Sequence, residues 1–267
     1  MKLPEILATL TQEPLIIIPS RQRALLSLLT EQRDLTKREG VDWCGSEIEL
    51  AQAEIIDGIM HIPVGGPIGR GLGKFEKGAG AVDVQDIEDE IDNAENDANC
   101  RGILFHMDSP GGMYSGTPEL ADRIAQSHLT TVAYIPGMAC SGCYWIASAC
   151  DIIAATKSAD IGNVGVYCYL LDYSEQFKAA GIKPDLITSG EFKGIGAPGI
   201  PINKAQRQHI QDRVTEMAQT FYSAVQSSRP DVKIEDLQGQ CFKAPTALDK
   251  GFIDFIVSGL DEVIGMI

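Results

Sequence analysis

Apolar positions along the chain change period several times. From Glu47 the pattern is one of short β-type runs, IELAQAEIIDGIMHIPV, followed by a glycine-rich stretch, GGPIGRGLGKFEKGAG, that reads as a mobile surface loop. Residues 83–98, DVQDIEDEIDNAENDA, place Val84, Ile87, Ile91, Ala94 and Ala98 on one stripe of a helix. Its other face is acidic and reads as solvated. A strand-then-helix rhythm follows: strand GILFHMD, a helix from Thr117, strand TVAYIP, a short helix from Ser141, strand DIIAAT, strand VGVYCYL, a helix around Tyr173–Ala180 and strand PDLIT. A long amphipathic helix from Lys204 to about Ser228 and a last helix–strand pair, TALDKGFIDFIV, close the pattern. Alternation of this kind predicts parallel βαβ units and an α/β fold. Residues 1–45 read differently, as an arm of helical pieces, one of them starting at the N-cap-like Ser20. The arm is expected to pack on the body, residues 46–267, or on a neighbouring subunit.

Composition then narrows the function. A chain of 267 residues, 44% hydrophobic and 22% charged, can fill one sizeable core. The net charge of −15 should repel nucleic acid and anionic lipid. The apolar run Leu15–Ile18 is cut off by Pro14 and Pro19, far short of the ~20 residues that a spanning helix needs. With no signal-peptide pattern either, the expectation is a soluble, cytoplasmic protein with no membrane anchor. Seven cysteines, an odd number, fit reduced thiols better than a disulfide framework. The glycines at 69–73 lack dinucleotide spacing, so no cofactor is expected.

Candidate chemistry gathers at three places. In Asp108-Ser-Pro-Gly-Gly112, directly after strand GILFHMD, Pro110 ends the strand and Gly111 and Gly112 let the backbone turn so that amides face outward, a setting suited to an oxyanion. An ordinary strand-to-helix turn would look the same. In MACSGCYWIA, Ser141 lies where a strand runs into a helix, and Gly142 permits close approach of a substrate. The louder pattern there is Cys140-x-x-Cys143, which suits redox or zinc chemistry, but no second pair completes four metal ligands. A serine nucleophile needs a base. Of the four histidines, His61, His106, His128 and His209, none sits on a loop that nominates it. Lys193, in ITSGEFKGIGAPG, is the other candidate. To act as a base it must be neutral part of the time, so burial has to pull its pKa from about 10.4 towards 7–8.

The order DSPGG, ACSGCYWIAS, TSGEFKGIGAPG, together with VGVYCYL and TALDKGFID, resembles the signal peptide peptidase A family of Ser-Lys peptidases over roughly residues 50–260. That resemblance implies the crotonase/Clp-protease fold of repeated ββα units. It also implies Ser141 as nucleophile, Lys193 as general base, and amides of Gly111, Gly112 and Gly142 as the oxyanion hole. Where the family has a serine that helps hold the lysine, this chain has Asn163, whose carbonyl oxygen can accept from the amine. Because the membrane members of the family carry an anchor, the chain looks more like the soluble branch of bacteriophages and prophages. Scaffold or capsid proteins are then the expected substrates, in a homo-oligomer acting in the host cytoplasm or prohead. Three other readings stand beside this one: a cellular peptidase of the same family that degrades peptides in the cytoplasm, a non-catalytic head protein of the same fold, and a crotonase-type acyl-CoA enzyme.

Overall fold

In the computed structural model of the protein the described residues are 52–267, together with a strand, β1, at Leu15–Ile17. The rest of the expected helical arm lies outside the described residues. The edge strand β2 (Glu54–Ile56) turns back into β3 (Ile59–Gly65), which is followed by β4 (Ile68–Gly69), β5 (Val82–Asp83) and the helix Val84–Asn96. Next come β6 (Gly102–Asp108), β7 (Gly111–Met113) and the helix Thr117–Ala125. The same unit repeats as β8 (Thr130–Ile135), β9 (Met138–Cys140) and the helix Gly142–Ser148. After β10 (Ile152–Thr156) and β11 (Asp160–Gly162) the long helix Lys204–Ser228 leads to β12 (Cys241–Lys243), the helix Ala244–Asp249 and β13 (Phe255–Val257).

The long strand of each unit enters a six-stranded sheet of order β13-β10-β8-β6-β3-β2, parallel except for β2. Parallel strands with both faces covered need continuous apolar runs, and β6 supplies one: Ile103, Leu104, Phe105 and Met107 are all buried. The short strands turn out of this sheet into small ones, of order β12-β11-β9 and β1-β7-β4-β5. The fold is therefore α/β, built of strand–strand–helix units.

Several expectations change on inspection. The glycine-rich stretch expected to be a loop contains β4 and a helix, Lys74–Gly78, with Lys77 paired to Asp86 at 2.7 Å and the Asp83 carboxylate accepting from Leu72 N–H at 2.7 Å. The helix Val84–Asn96 buries Val84, Ile87, Ile91 and Ala94 as expected, but Ala98 is exposed beyond its end. There the Asp97 side chain accepts from Asn99 N–H at 2.8 Å, a local turn that competes with further helix. Nor is the acidic face wholly solvated, because Arg123 from the next helix reaches Glu95 at 2.6 Å and Asp92 at 2.7 Å. The runs at 164–170 and 184–188 do not form strands. Tyr169, Leu186 and Ile187 stay exposed, Ile187 at 90%, so β propensity alone does not make strands of those runs.

The chain divides into two compact units, with the division falling inside the long helix. The larger holds Ile16–Gly165 and Phe221–Ile267; among the residues described with side chains, the smaller holds Val166–Thr220. Within the larger unit, Arg229 fastens the C-terminal segment to β10. It donates to both Asp254 oxygens at 2.9 and 3.0 Å and to Cys150 O at 2.6 Å, while Asp254 also accepts from Ile153 N–H at 2.7 Å.

Arg229→Leu would leave the Asp254 carboxylate without its partner, and we expect a loss of about 2–4 kcal/mol in urea unfolding. A smaller loss in Arg229→Leu/Asp254→Asn than the sum of the single changes would locate the effect in the pair. Acid stability should track Glu95, whose hydrogen bond to Arg123 holds its carboxyl at about 2, down from an ordinary 4.5. A depressed carboxyl stabilises the fold above the unfolded value and loses that contribution as pH falls. Glu95→Gln should therefore cost about 1–2 kcal/mol at pH 7, with the difference from wild type closing between pH 4.5 and 2.

Candidate active site

Ser141 is the N-cap of the helix Gly142–Ser148 and takes φ 57°, ψ −123°. A non-glycine residue in such a sparsely populated region costs about 1–3 kcal/mol and persists only where its surroundings hold it. Here they do: Ser141 N–H donates to Gly162 O at 2.7 Å and Trp145 N–H donates to Ser141 O at 3.0 Å. The helix behind is buried along its whole length, with Trp145 stacked on Phe221 at 4.4 Å and Tyr144 OH donating to Phe252 O at 2.9 Å. The Ser141 hydroxyl makes no capping bond to the helix. First-turn amides such as that of Gly142 have no partner within the helix.

The turn after β6 is stitched to the strand that delivers Ser141. Ser109 N–H donates to Met138 O at 3.0 Å, Cys140 N–H donates to Ser109 O at 3.2 Å, and the Asp108 carboxylate accepts from Met138 N–H at 3.0 Å. Sequence reasoning missed Ser109. Its hydroxyl donates to Gly66 O at 2.5 Å and accepts from Gly111 N–H at 3.1 Å. That bond engages the Gly111 amide, and Gly112 beside it pairs with Ile68 of β4. Gly112 lies so close to β4 that a Cβ would stand 1.8 Å from Ile68 O.

On the far side of Ser141, β11 ends at Gly162 and Asn163, both with positive φ. Asn163 N–H donates to Gln240 O at 2.6 Å and its side-chain nitrogen donates to Gly239 O at 2.8 Å. The side-chain nitrogen is thus used to hold the 239–241 segment. Ser141, Gly111, Gly112, Gly142 and Asn163 all belong to the larger unit. Lys193 belongs to the smaller one, in a turn where its N–H donates to Gly190 O at 3.0 Å. It is exposed, without the burial that the sequence argument required of a base.

The two cysteines around Ser141 face different partners. Cys143 is fully buried and desolvation pushes its thiol up to about 12, whereas the Cys140 sulfur meets Cys241 at 4.0 Å. Of the histidines, His61 Nδ1 and His106 Nε2 lie 2.9 Å apart on β3 and β6 and bond one another.

The model of peptidase family S49 matches residues 123–266, a span that includes Ser141, Gly142, Asn163 and Lys193. Capsid assembly protease C of Escherichia phage lambda is 26% identical over 287 residues, covering 99% of this chain and 65% of that protein. The head-tail preconnector protein GP5 of Enterobacteria phage P21 is 26% identical over 214 residues, covering 78% and 42%. The chain thus spans less than two thirds of the length of these curated relatives. Among solved structures, an enoyl-CoA hydratase/isomerase family protein from Silicibacter pomeroyi aligns with a TM-score of 0.47 at 13% identity, covering 80% of this chain and 78% of the other.

The packing of the Ser109–Gly112 turn is testable by adding one methyl group. Gly112→Ala should destabilise the protein by about 2–3 kcal/mol in urea unfolding, because the new carbon collides with backbone and not with a side chain that can swing away. Gly65→Ala, where nothing lies within 4 Å of the new carbon, should change stability by less than about 1 kcal/mol. Equal effects at the two sites would refute the close approach.

Proposed function

This chain belongs to peptidase family S49, and we propose that it is a serine endopeptidase in which Ser141 is the nucleophile and Lys193 the general base. The observation that carries this reading is the strained seat of Ser141 at a strand-to-helix junction, hydrogen-bonded to Gly162 on one side and adjoining the Ser109–Gly112 turn on the other. Strand–turn–helix geometry with positive φ at the serine is how a fold presents a hydroxyl for attack.

In the proposed cycle Ser141 Oγ attacks the peptide carbonyl carbon while its proton passes to neutral Lys193. The oxyanion takes hydrogen bonds from the amides of Gly142 and Gly112, with Gly111 shaping the turn through Ser109. Lys193 then protonates the leaving amine, and the same amine activates the water that hydrolyses the acyl-enzyme. Holding the lysine neutral near pH 7–8 costs about 4 kcal/mol of desolvation at 1.36 kcal/mol per pKa unit. Since Lys193 is exposed, that desolvation has to arrive with the bound protein substrate. The Asn163 carbonyl oxygen is the atom through which this residue would position the amine. No cofactor enters the cycle.

Protein substrates, specifically scaffold or capsid proteins processed by a homo-oligomer, are part of this proposal, and the names of the two phage relatives support capsid assembly as its setting. The exposure of Lys193 favours a second reading, a non-catalytic head protein of the same fold.

Cleavage of casein and of a co-expressed scaffold protein separates the two readings. Wild type should cut, and Ser141→Ala and Lys193→Ala should each lower kcat/KM by roughly a thousandfold or more. Lys193→Arg should be as inactive as the alanine variant, because a guanidinium does not give up its proton near neutral pH. Undiminished cleavage in the variants would overturn the Ser-Lys assignment; no cleavage by wild type would favour the structural protein.

A further inference from the structure

We propose that Cys241 is a thiol-exchange site that accepts small disulfides, and that a mixed disulfide formed there switches off the Ser141 site. The second clause rests on the peptidase reading; the first does not. Cys241 opens β12 and is exposed. In register it stands opposite Gly162 on one side of β11, and Cys140 stands opposite the same glycine on the other side. Because Gly162 has no side chain, the two sulfurs meet across it at 4.0 Å.

These thiols are not placed to form a disulfide with each other. Two strand spacings of about 4.8 Å separate their backbones, roughly 9.6 Å, against the 4.4–6.8 Å that a disulfide spans. Their geometry suits a proton donor and an acceptor instead. The single Cys140 proton has two acceptors, Asp160 O at 3.6 Å and the Cys241 sulfur at 4.0 Å, and an anionic sulfur is the stronger of the two. Cys140 is buried and retains its proton. Its hydrogen bond, with smaller help from the Asn163 side chain and the charge of Lys243, pulls the Cys241 thiol below its ordinary value, although partial burial and Asp160 oppose the shift. The other described cysteines lack this combination: Cys100, Cys143 and Cys150 are buried, and burial raises the half-exposed Cys168.

The reaction is an exchange. The Cys241 thiolate attacks one sulfur of a small disulfide, the S–S bond of that molecule breaks, a mixed disulfide forms on Cys241, and the other half leaves as a thiolate. Its effect on the site follows from the ladder. Gly239 and Gln240 hold Asn163 through two hydrogen bonds, and Gly162 O holds the Ser141 amide. An adduct on Cys241 removes the acceptor that the Asn163 amide shares and adds bulk where those strands meet.

The aryl disulfide DTNB tests both clauses on the intact folded chain, with Cys44, which lies outside the described residues, changed to serine in every sample. We expect the first fast equivalent of released aryl thiolate to map to Cys241 by peptide mass, and to vanish in Cys241→Ser. Cys140→Ala should slow it by roughly five- to tenfold through the lost hydrogen bond. Casein cleavage should fall in step with labelling and return with dithiothreitol, while Cys241→Ser cleaves normally and ignores the reagent. A first equivalent mapped to any other cysteine would overturn the site. Full cleavage by protein labelled at Cys241 would overturn its link to Ser141. A protein that cleaves nothing before labelling would refute the peptidase reading, with the mapping still deciding the thiol.

Discussion

The 2.7 Å hydrogen bond from Ser141 N–H to the Gly162 carbonyl is the contact on which the rest of the candidate site depends. Together with the Trp145 N–H bond to Ser141 O and the buried helix behind, it compensates a serine at φ 57°. The bond exists because β9 and β11 run parallel in register, Cys140 beside Gly162, and that register is set by the strand–strand–helix units preceding each of them. From Gly162 the support passes outward to Asn163 and, through its two hydrogen bonds, to Gly239 and Gln240. The candidate nucleophile is thus held by residues some hundred positions away in sequence.

Chemically the chain separates two tasks. In the proposed cycle the oxyanion donors are backbone amides of the larger unit, fixed by buried packing and not by side-chain rotamers. Such preorganised dipoles need no rearrangement as charge develops. Lys193, the base of the proposed cycle, belongs to the smaller unit and is exposed. Rigid amides and an exposed lysine make opposite demands on solvent, since the first work best dry and the second, as it stands, is wet.

Much of this was legible in the sequence, for local reasons. GILFHMD matches β6 at both ends because Gly102 and the Asp108-Ser-Pro turn punctuate an apolar run broken only by His106. The helix from Lys204 to Ser228 follows from its length and periodicity, and the helix start at Ser141 from small residues after a strand. The failures were of two kinds. Runs at 164–170 and 184–188 carry β-type side chains, yet strand formation needs a partner that periodicity cannot name. The engagement of Gly111 by Ser109, and the meeting of Cys140 with Cys241 across a glycine, depend on long-range register, and no local pattern encodes them. The motif order that pointed to a family succeeded where isolated motifs did not, because several weak motifs in a fixed order are far more specific together than any one of them.

The order of the main sheet carries a kinetic consequence. From β2 to β10 each strand pairs with the one before it in chain order, so the sheet can grow by closing one short loop at a time. The last strand breaks that rule: β13 pairs with β10 only after the whole 166–240 excursion, joining Ala154 to Phe255. Closing a loop of roughly a hundred residues is entropically dearer than any earlier step, though only by about 0.6 kcal/mol per doubling of length. Its contacts are also the least local in the sheet, the kind that slow folding most. A nascent chain can therefore assemble the sheet through β10, and with it the Ser109 turn and the strand leading to Ser141, before β12 and β13 exist to brace Asn163. Synthesis itself sets the order in which the cradle and its brace come together.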